Sequence, residues 1–280
     1  MLHLTILGSG SQGNSAYVTD GDTSLLIDAG LSCKQLCLRL ESIGVDPASL
    51  DGILLTHEHG DHVRGLKVLL RRCEVPLYCN LLTREAMNGT APESAKWKIF
   101  ESGNEFEIGG MQIETFRVAH DAAEPVGFVL KDAESSLGIL SDVGWITNLV
   151  RSRLEGVQTL FVEANYDETM LQNDTVRPWS TKQRISSRHG HLSNTQTAEL
   201  AAHLAPEGLQ QVVLGHLSGD CNAPEVAAEA IRNAPGCRTI PVLCACQDTP
   251  TTEIRVSLRE NPLPTATETN FLHSKQLEFF

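Results

Sequence analysis

The chain has 280 residues, of which 41% are hydrophobic, and its formal net charge is −13 at pH 7. This hydrophobic content is enough for a sizeable core and excludes a chain that is disordered throughout. The acidic balance argues against a protein that coats nucleic acid nonspecifically, so a phosphate-bearing substrate would need a local basic site. Because the apolar runs are strand-sized and no stretch resembles a signal peptide, we expect a soluble, cytoplasmic protein that makes no membrane contact.

The first predicted elements are three strands, at residues 2–7, 16–19 and 24–27. A Gly/Ser-rich turn, residues 8–15, joins the first two strands. Its backbone N–H groups and hydroxyls could hold a terminal phosphate, and a plain strand-to-strand turn is the alternative interpretation. The third strand ends on Asp28.

A helix is predicted next from Leu36, Leu40 and Ile43, and an apolar strand follows at residues 53–55. Directly after that strand, residues 56–62 contain three histidines and two carboxylates. Imidazole and carboxylate groups together are the ligands of a hydrolytic metal ion. A loop at the end of a buried strand can aim alternate side chains at one point, so this segment predicts part of a metal site. A helix with apolar residues from 63 to 70 is predicted behind it.

Strands and helices continue to alternate without a linker, which predicts a single α/β domain over residues 1–257 and leaves residues 258–280 as an unassigned tail. Eight scattered cysteines form no C-x-x-C pair, and we expect free thiols in a reducing compartment. The remaining strands are predicted at residues 75–78, 111–118, 126–130, 137–140, 159–162, 211–214, 239–245 and 253–258, and the remaining helices at residues 195–204 and 224–233.

Three further residues fit the metal site because each follows an apolar strand. His120 follows the strand at 111–118, Asp142 follows the strand at 137–140, and His216 follows the strand at 211–214. Two neighbouring cations need about six or seven protein ligands between them. Taken alone, each residue is more often a cap or a core residue. His3, His203 and His273 have no neighbouring ligand types, and we assign them to structure or solvent.

This series of residues resembles the metal ligands of the metallo-β-lactamase superfamily in its dinuclear hydrolase form. Within it, residues 8–15, 26–31, 120–127 and 190–194 resemble signatures of the YycJ/WalJ-type exonucleases, and ribonuclease Z is a more distant relative. The resemblance covers residues 2–257 and implies a four-layer αββα sandwich. The chain departs from the family pattern at Tyr166 and Cys221, neither of which is an implied ligand.

The resemblance implies a hydroxide that bridges two divalent metal ions, Zn²⁺ or Mn²⁺ with Fe²⁺ as an alternative. It implies Asp61, Glu163 and His191 as the catalytic residues, with Glu163 holding His191 for proton transfer to the departing oxygen. The alternative for that pair is that Glu163 is a strand-end carboxylate with its hydrogen bonds satisfied and that His191 is a loop residue hydrogen-bonded to backbone. The implied metal ligands are His57, His59 and His120 for one ion, Asp61, His62 and His216 for the other, and Asp142 between them.

Substrate contacts are predicted in two places. The turn contributes Ser9, Ser11 and Asn14, and a second region near residue 190 contributes Arg184, Arg188, Ser193 and Asn194. Residues 177–188 are locally basic and contain Trp179, a pattern that suits a groove for a nucleic-acid backbone with one stacking platform. A solvated basic face is the alternative.

Three functions therefore stay open. The first is a metal-dependent phosphodiesterase on nucleic acid, a 5′ to 3′ exonuclease on DNA rather than RNA, as the resemblance implies. The second is a small-molecule hydrolase of the same fold, acting on a cyclic nucleotide, a phosphodiester or a thioester. The third is a noncatalytic scaffold that uses the same metals. The sequence leaves the oligomeric state open, a homodimer included.

Overall fold

Fourteen strands and nine α-helices form in the part of the chain that the structure, a computed structural model, describes, residues 1–87 and 89–256. The predicted tail, residues 258–280, lies outside the described residues. The strands are β1 His3–Gly8, β2 Ser15–Thr19, β3 Ser24–Ile27, β4 Gly52–Leu54, β5 Leu77–Cys79, β6 Trp97–Ile99, β7 Glu105–Ile108, β8 Met111–Arg117, β9 Val126–Lys131, β10 Ser136–Leu140, β11 Thr159–Glu163, β12 Gln211–Gly215, β13 Val242–Cys244 and β14 Ile254–Arg255. The helices are α1 Cys33–Ser42, α2 Gly60–Val63, α3 Leu66–Leu69, α4 Leu81–Ala86, α5 Asn148–Leu154, α6 Glu168–Asn173, α7 Trp179–Ile185, α8 Asn194–Leu204 and α9 Pro224–Asn233.

The strands form two seven-stranded sheets with matching organisation. The first has the order β14-β1-β2-β3-β4-β5-β6, and the second has the order β13-β12-β11-β10-β9-β8-β7. In each sheet three pairs of neighbours are antiparallel and three are parallel. Parallel neighbours need crossover connections, and the chain supplies helices for them.

Three apolar clusters separate four layers. One cluster lies between the sheets and includes Ile6 and Val18 of the first sheet with Phe128 and Ile139 of the second. Another joins the first sheet to α1 and α3, and a third joins the second sheet to α5, α8 and α9. The predicted α/β sandwich with helices on both outer faces is confirmed.

The ends of several strands meet at one edge of the sandwich. In the second sheet, Leu140 of β10 pairs with Val162 of β11, and Val162 pairs with Leu214 of β12, so the residues that follow these strands lie at one level. In the first sheet, Ile27 of β3 pairs with Leu54 of β4 in the same way. This register brings the loops that carry the predicted ligands together.

The helix predicted behind the histidine-rich loop is two short helices, α2 and α3, separated at Gly65. The Gly65 N–H donates to Ala29 O at 2.8 Å, and a side chain at this position would lie 2.5 Å from Leu31 O. Close backbone approach therefore interrupts a helix that the apolar pattern alone predicts as continuous. Within residues 1–87 and 89–256, no helix is long and apolar enough to cross a bilayer.

The last described segment completes the first sheet. β14 pairs antiparallel with β1, and Thr251 exchanges backbone and side-chain hydrogen bonds of 3.0 Å with Ile6. The nearby Gln247 side chain accepts from Gln12 N and donates to Gly13 O, both at 2.8 Å. The strand predicted at residues 253–258 is present as β14, and residues 257 and 258 lie outside the described part.

Candidate metal centre

The loop of residues 56–62 leaves β4 and is held by the chain segments beside it. Asn14 N donates to Asp61 O at 2.8 Å, and Ala29 N donates to His62 O at 2.7 Å. A Cβ at Gly30 would lie 1.6 Å from Asp61 O, so only glycine fits against the loop there. Backbone contacts thus hold the histidine-rich loop in place independently of its side chains.

Three residues at the strand ends have left-handed backbone conformations. The φ angles of Asp28, Asp142 and His216 are 58°, 54° and 51°. Each follows an apolar strand by one or two residues, namely β3, β10 or β12. For residues other than glycine this conformation costs about 1–2 kcal/mol, so the surrounding structure must hold it. In each case the chain turns sharply at the end of the strand, and the polar side chain at the turn is buried.

Potential ligand atoms gather around Asp142 in three groups, and within each group they lie within 4.8 Å of one another. Asp142 belongs to all three groups, so it occupies the middle of the cluster. The seven ligands implied by the sequence are all brought into these groups. The groups are His57, His59, His120 and Asp142; Asp61, His62 and Asp142; and Asp142, Glu163, His191 and His216.

The Nδ1 atoms of three histidines face partners in the protein. His57 Nδ1 lies 3.0 Å from Thr56 Oγ1, His62 Nδ1 lies 2.8 Å from Asp28 Oδ2, and His120 Nδ1 lies 2.9 Å from Gly190 O. Their Nε2 atoms lie 3.5, 3.2 and 3.6 Å from Asp142 Oδ2, in the order His57, His62 and His120. Protein partners at Nδ1 fix the ring orientation and direct Nε2 inward, as metal-ligating histidines require.

Asp28 is the residue of the centre that the sequence analysis left without a role. Its Oδ1 accepts from Thr56 N at 2.9 Å, and its Oδ2 accepts from Thr56 Oγ1 at 2.7 Å as well as facing His62. The signal was available, because Asp28 ends an apolar strand in the same way as Asp142 and His216. The pattern identifies residues that converge on the site, but it does not separate a ligand from a residue that orients a ligand.

The donor set fits a divalent cation. Among the described residues, His57 Nε2 and His216 Nε2 are buried atoms without a hydrogen-bond partner. Asp142 is buried, and in the described part of the chain its ion-pair partners are all histidines. Buried carboxylates need a compensating charge, and imidazole with carboxylate suits Zn²⁺, Mn²⁺ or Fe²⁺.

The histidine pKa values divide the cluster into two halves. Burial lowers the pKa of His57 well below its usual range and also lowers the pKa of His120, so both imidazoles are neutral. Burial acts in the same direction on His62 and His216, but there the nearby carboxylates outweigh it. Asp142 and Asp28 raise the pKa of His62 well above its usual range, and Asp142 raises the pKa of His216 to about 10. The second half therefore attracts positive charge, and a cation bound there would displace protons.

Glu163, which is buried, and His191, which is partly exposed, form a pair within one of the groups around Asp142. His191 Nδ1 lies 2.9 Å from Glu163 Oε2, and Glu163 Oε1 accepts from Val143 N and Leu192 N. Burial would raise the pKa of Glu163, but His191 and His216 hold it below its usual value. In the described part of the chain His191 Nδ1 faces Glu163 and not a backbone group, while Glu163 also accepts from backbone N–H groups as the alternative interpretation has it. The His191 side chain is 16% exposed, so its ring reaches the solvent side of the site.

The Gly/Ser turn is already hydrogen-bonded within the protein. The Gly10 and Gly13 amides donate to Asn14 Oδ1 and Gly10 O, and the amide of Ser9 donates to Cys246 O. Ser9 Oγ accepts from His216 N at 2.7 Å, and Asn14 Nδ2 donates to Asp61 Oδ2 at 3.3 Å. The turn thus positions centre residues, and the Ser11 side chain, which is exposed, is its most accessible predicted contact.

Residues 177–188 are less free than their charge suggests. Arg177 pairs with Asp174 at 3.0 Å and with Asp220 at 2.8 Å, and the amine of Lys182 donates to the carbonyls of Gln172 and Asp174. Two of the four basic side chains in this segment therefore hold the local structure together.

The four predicted substrate contacts near residue 190 differ in how far their side chains are already bonded within the protein. Arg184 pairs with Asp121 at 2.7 Å, whereas the Arg188 guanidinium lies over the Trp145 ring, 5.0 Å from its centroid. Ser193 caps α8, and the Asn194 side chain exchanges hydrogen bonds with Asn222. Substrate binding by these four residues stays a prediction, and of the four side chains Arg188 is the most available.

Comparison with known proteins identifies the family of this chain. Residues 23–217 match the family described as the Beta-lactamase superfamily domain. The chain is 36% identical over 233 residues to "Exodeoxyribonuclease YycJ" of Bacillus anthracis, covering 82% of this chain and 88% of the relative. It is 37% identical over 227 residues to "Exodeoxyribonuclease WalJ" of Streptococcus pneumoniae, covering 80% and 84%.

A solved structure shows the same fold. The metallo-beta-lactamase fold protein YhfI from Bacillus subtilis superposes with a TM-score of 0.70, at 16% identity, over 90% of this chain and 99% of that protein. At this level of identity the likeness concerns the fold alone, whereas the two exodeoxyribonucleases are similar in sequence over most of their length.

Proposed function

This chain belongs to the beta-lactamase superfamily, and we propose that it is a 5′ to 3′ exonuclease that hydrolyses DNA with the help of two divalent metal ions. The observation that carries the proposal is the combination of a buried cluster of ligand groups with relatives at 36–37% identity that are named exodeoxyribonucleases. We also propose that residues 1–257 form one hydrolase domain, in the cytoplasm, where eight free cysteines would stay reduced.

The first proposed ligand set is one of the groups around Asp142, and the second adds His216, whose Nε2 lies 3.7 Å from Asp61 Oδ2, to the group of Asp61 and His62. His57, His59 and His120 would hold one ion, while Asp61, His62 and His216 would hold the other, with Asp142 shared. The donors suit Zn²⁺ or Mn²⁺, with Fe²⁺ as an alternative. When bound, such cations favour loss of a proton from water near neutral pH and offset the negative charge that develops on a phosphoryl group.

The proposed proton transfers use two groups of the protein. Asp61 is 22% exposed at its side chain, more than Asp142, so its carboxylate faces the open side of the cluster and can orient the attacking water. Glu163 holds His191 by Nδ1, which leaves Nε2 free to give a proton to the departing sugar oxygen. The buried Glu163 carboxylate stabilises the protonated ring while it carries that proton.

The proposed substrate contacts lie on the solvent side of these groups. Ser11 and Arg188 have side chains that can reach a phosphate, and Arg184 would have to share its charge with Asp121. Ser9, Asn14, Ser193 and Asn194 would act mainly by holding the walls of the site, because their polar atoms bond within the protein.

The test is digestion of 5′-phosphorylated single- and double-stranded DNA and RNA by metal-stripped protein to which Mn²⁺ or Zn²⁺ is returned. Bis-p-nitrophenyl phosphate serves as a parallel small diester, and Asp142→Asn protein controls for a contaminating nuclease. Stepwise shortening of DNA from its 5′ end is the expected result. Cleavage of the small diester alone would overturn the exonuclease proposal in favour of a small-molecule hydrolase.

A further inference from the structure

An exposed tryptophan lies at the rim of the metal centre. Trp145 follows Asp142 by three residues and is 44% exposed, unusual for so large an apolar side chain. Its backbone pairs with Ala119 in an antiparallel bridge, and Ala119 directly precedes His120. The ring is therefore anchored between two members of the cluster while much of its surface faces solvent.

Arg188 covers part of this ring and forms no ion pair with any described residue. Its guanidinium lies 5.0 Å from the Trp145 centroid, which is the distance of a cation–π contact. Arg177 and Arg184 pair with carboxylates, but in residues 1–87 and 89–256 no carboxylate forms an ion pair with Arg188. The charge of Arg188 is thus available to an anion that approaches the rim.

The two chain segments that carry these side chains are in tight backbone contact. A Cβ at Gly144 would lie 2.5 Å from both the carbonyl carbon of Arg188 and the amide nitrogen of Gly190. The Gly144 N–H donates to Ala119 O at 2.7 Å, and Gly190 O accepts a hydrogen bond from His120 Nδ1 at 2.9 Å. These backbone contacts hold the segments of Trp145 and Arg188 at a fixed distance from the cluster. The position of the pair at the rim is therefore set by the fold.

We propose that Trp145 is a stacking platform for a nucleobase next to the cleaved phosphodiester and that Arg188 contacts the adjoining phosphate. The assignment rests on the proposed function and adds a residue that recognises the substrate. Stacking on an aromatic ring accepts every base, because each base has a flat face, so this contact suits an enzyme that removes successive nucleotides of any sequence. Trp179, the platform suggested by sequence, is 68% exposed, but it lines a cavity of about 250 Å³ with Tyr166 and Leu171 that includes none of the proposed metal ligands.

The experiment combines removal of the Trp145 ring from the protein with removal of bases from the substrate. Two 5′-phosphorylated oligonucleotides are compared, one intact and one with abasic residues at its first two positions, and both keep every phosphate. Release of the first nucleotide is measured with wild-type protein and with Trp145→Ala, Trp145→Phe and Trp179→Ala variants, whose folding is checked by circular dichroism. Because ring and base would contact each other, their effects on KM should not add.

Wild-type protein is expected to favour the intact oligonucleotide by about tenfold or more in KM. Trp145→Ala should lose this preference, whereas Trp145→Phe and Trp179→Ala should keep most of it. Equal preference in wild-type and Trp145→Ala protein, or its loss in Trp179→Ala alone, would overturn the assignment and leave the exonuclease proposal intact. If wild-type protein does not shorten the intact oligonucleotide, the proposed function fails and the assignment fails with it.

Discussion

The metal centre and its rim both contain paired charged groups, but the surroundings of those groups differ. In the centre, the side chains of His57, His62 and Asp142 are at most 3% exposed, and their polar atoms face one another across a few ångströms. At the rim, Arg184 is 62% exposed at its side chain and pairs with Asp121, which is 33% exposed. Charges interact strongly where water is excluded and weakly where it screens them, so the two regions should respond very differently to substitution.

The largest effect should come from Asp142, the residue shared by all three groups of ligand atoms. Asp142→Ala and Asp142→Asn should lower metal content and abolish hydrolysis while the fold survives. Asn tolerates the left-handed backbone at this position better than Ala, so it controls for strain. Metal analysis and circular dichroism on purified protein test this, and full activity in either variant would contradict the role of Asp142.

The next effect should come from the Glu163–His191 pair, at the boundary between centre and rim. We expect His191→Ala and Glu163→Gln each to slow DNA hydrolysis by roughly a hundredfold, because an alkoxide leaving group needs a proton. Bis-p-nitrophenyl phosphate has a far better leaving group and should be much less affected. Equal losses on the two substrates would assign this pair a structural role instead.

A smaller effect is expected at Asp28, which orients His62 without belonging to a group of ligand atoms. Asp28→Asn keeps the size and the backbone preference of the residue but places an N–H group opposite His62 Nδ1. Metal affinity should fall about 10- to 100-fold, measured by calorimetric titration of metal-stripped protein. Asp22→Asn, at an exposed turn, is the matched control and should bind metal as the wild type does.

The smallest effects should lie on the rim and should depend on salt. Arg188→Gln should weaken DNA binding for all sequences and reduce the slope of log affinity against log salt concentration by about 1. Arg184→Gln should change the slope less, because Asp121 already offsets its charge. Arg84, which lies over Trp97 in another cation–π pair, is the control and should leave the slope unchanged when replaced by Gln. A larger change for Arg184 than for Arg188 would contradict this ranking.

Sequence patterns predicted most of the buried strands and helices. The strand at residues 24–27 and the helix at residues 224–233 have the predicted bounds, and most other predicted elements differ by a residue or two. Two of the elements that were not predicted, β6 and α7, have weak apolar patterns. The edge strand β6 has no buried residue, and α7 buries only Lys182, whose amine bonds to backbone carbonyls. The position of α7 therefore depends on hydrogen bonds to residues outside the helix, which an apolar pattern does not indicate.

The candidate site was predictable in its centre and poorly predictable at its rim. The centre follows one local rule, a strand that ends on His or Asp, and the topology then gathers those ends. At the rim, the neighbours decide which side chain is free. The pairing of Arg184 with Asp121 and the stacking of Arg188 on Trp145 join residues that are distant in sequence. No local pattern contains that information.

The pairing of β14 with β1 also bears on how the protein is made. His3 and Leu4 pair with residues that follow them by about 250 positions, so one edge of the first sheet stays open during translation until residues 254 and 255 have left the ribosome. Gln247, which fastens the Gly/Ser turn beside Asp61, emerges only shortly before them. The nascent chain therefore carries all the histidines of the centre, the last of which is His216, before it can pair the β1 edge, and an unpaired strand edge can associate with other chains.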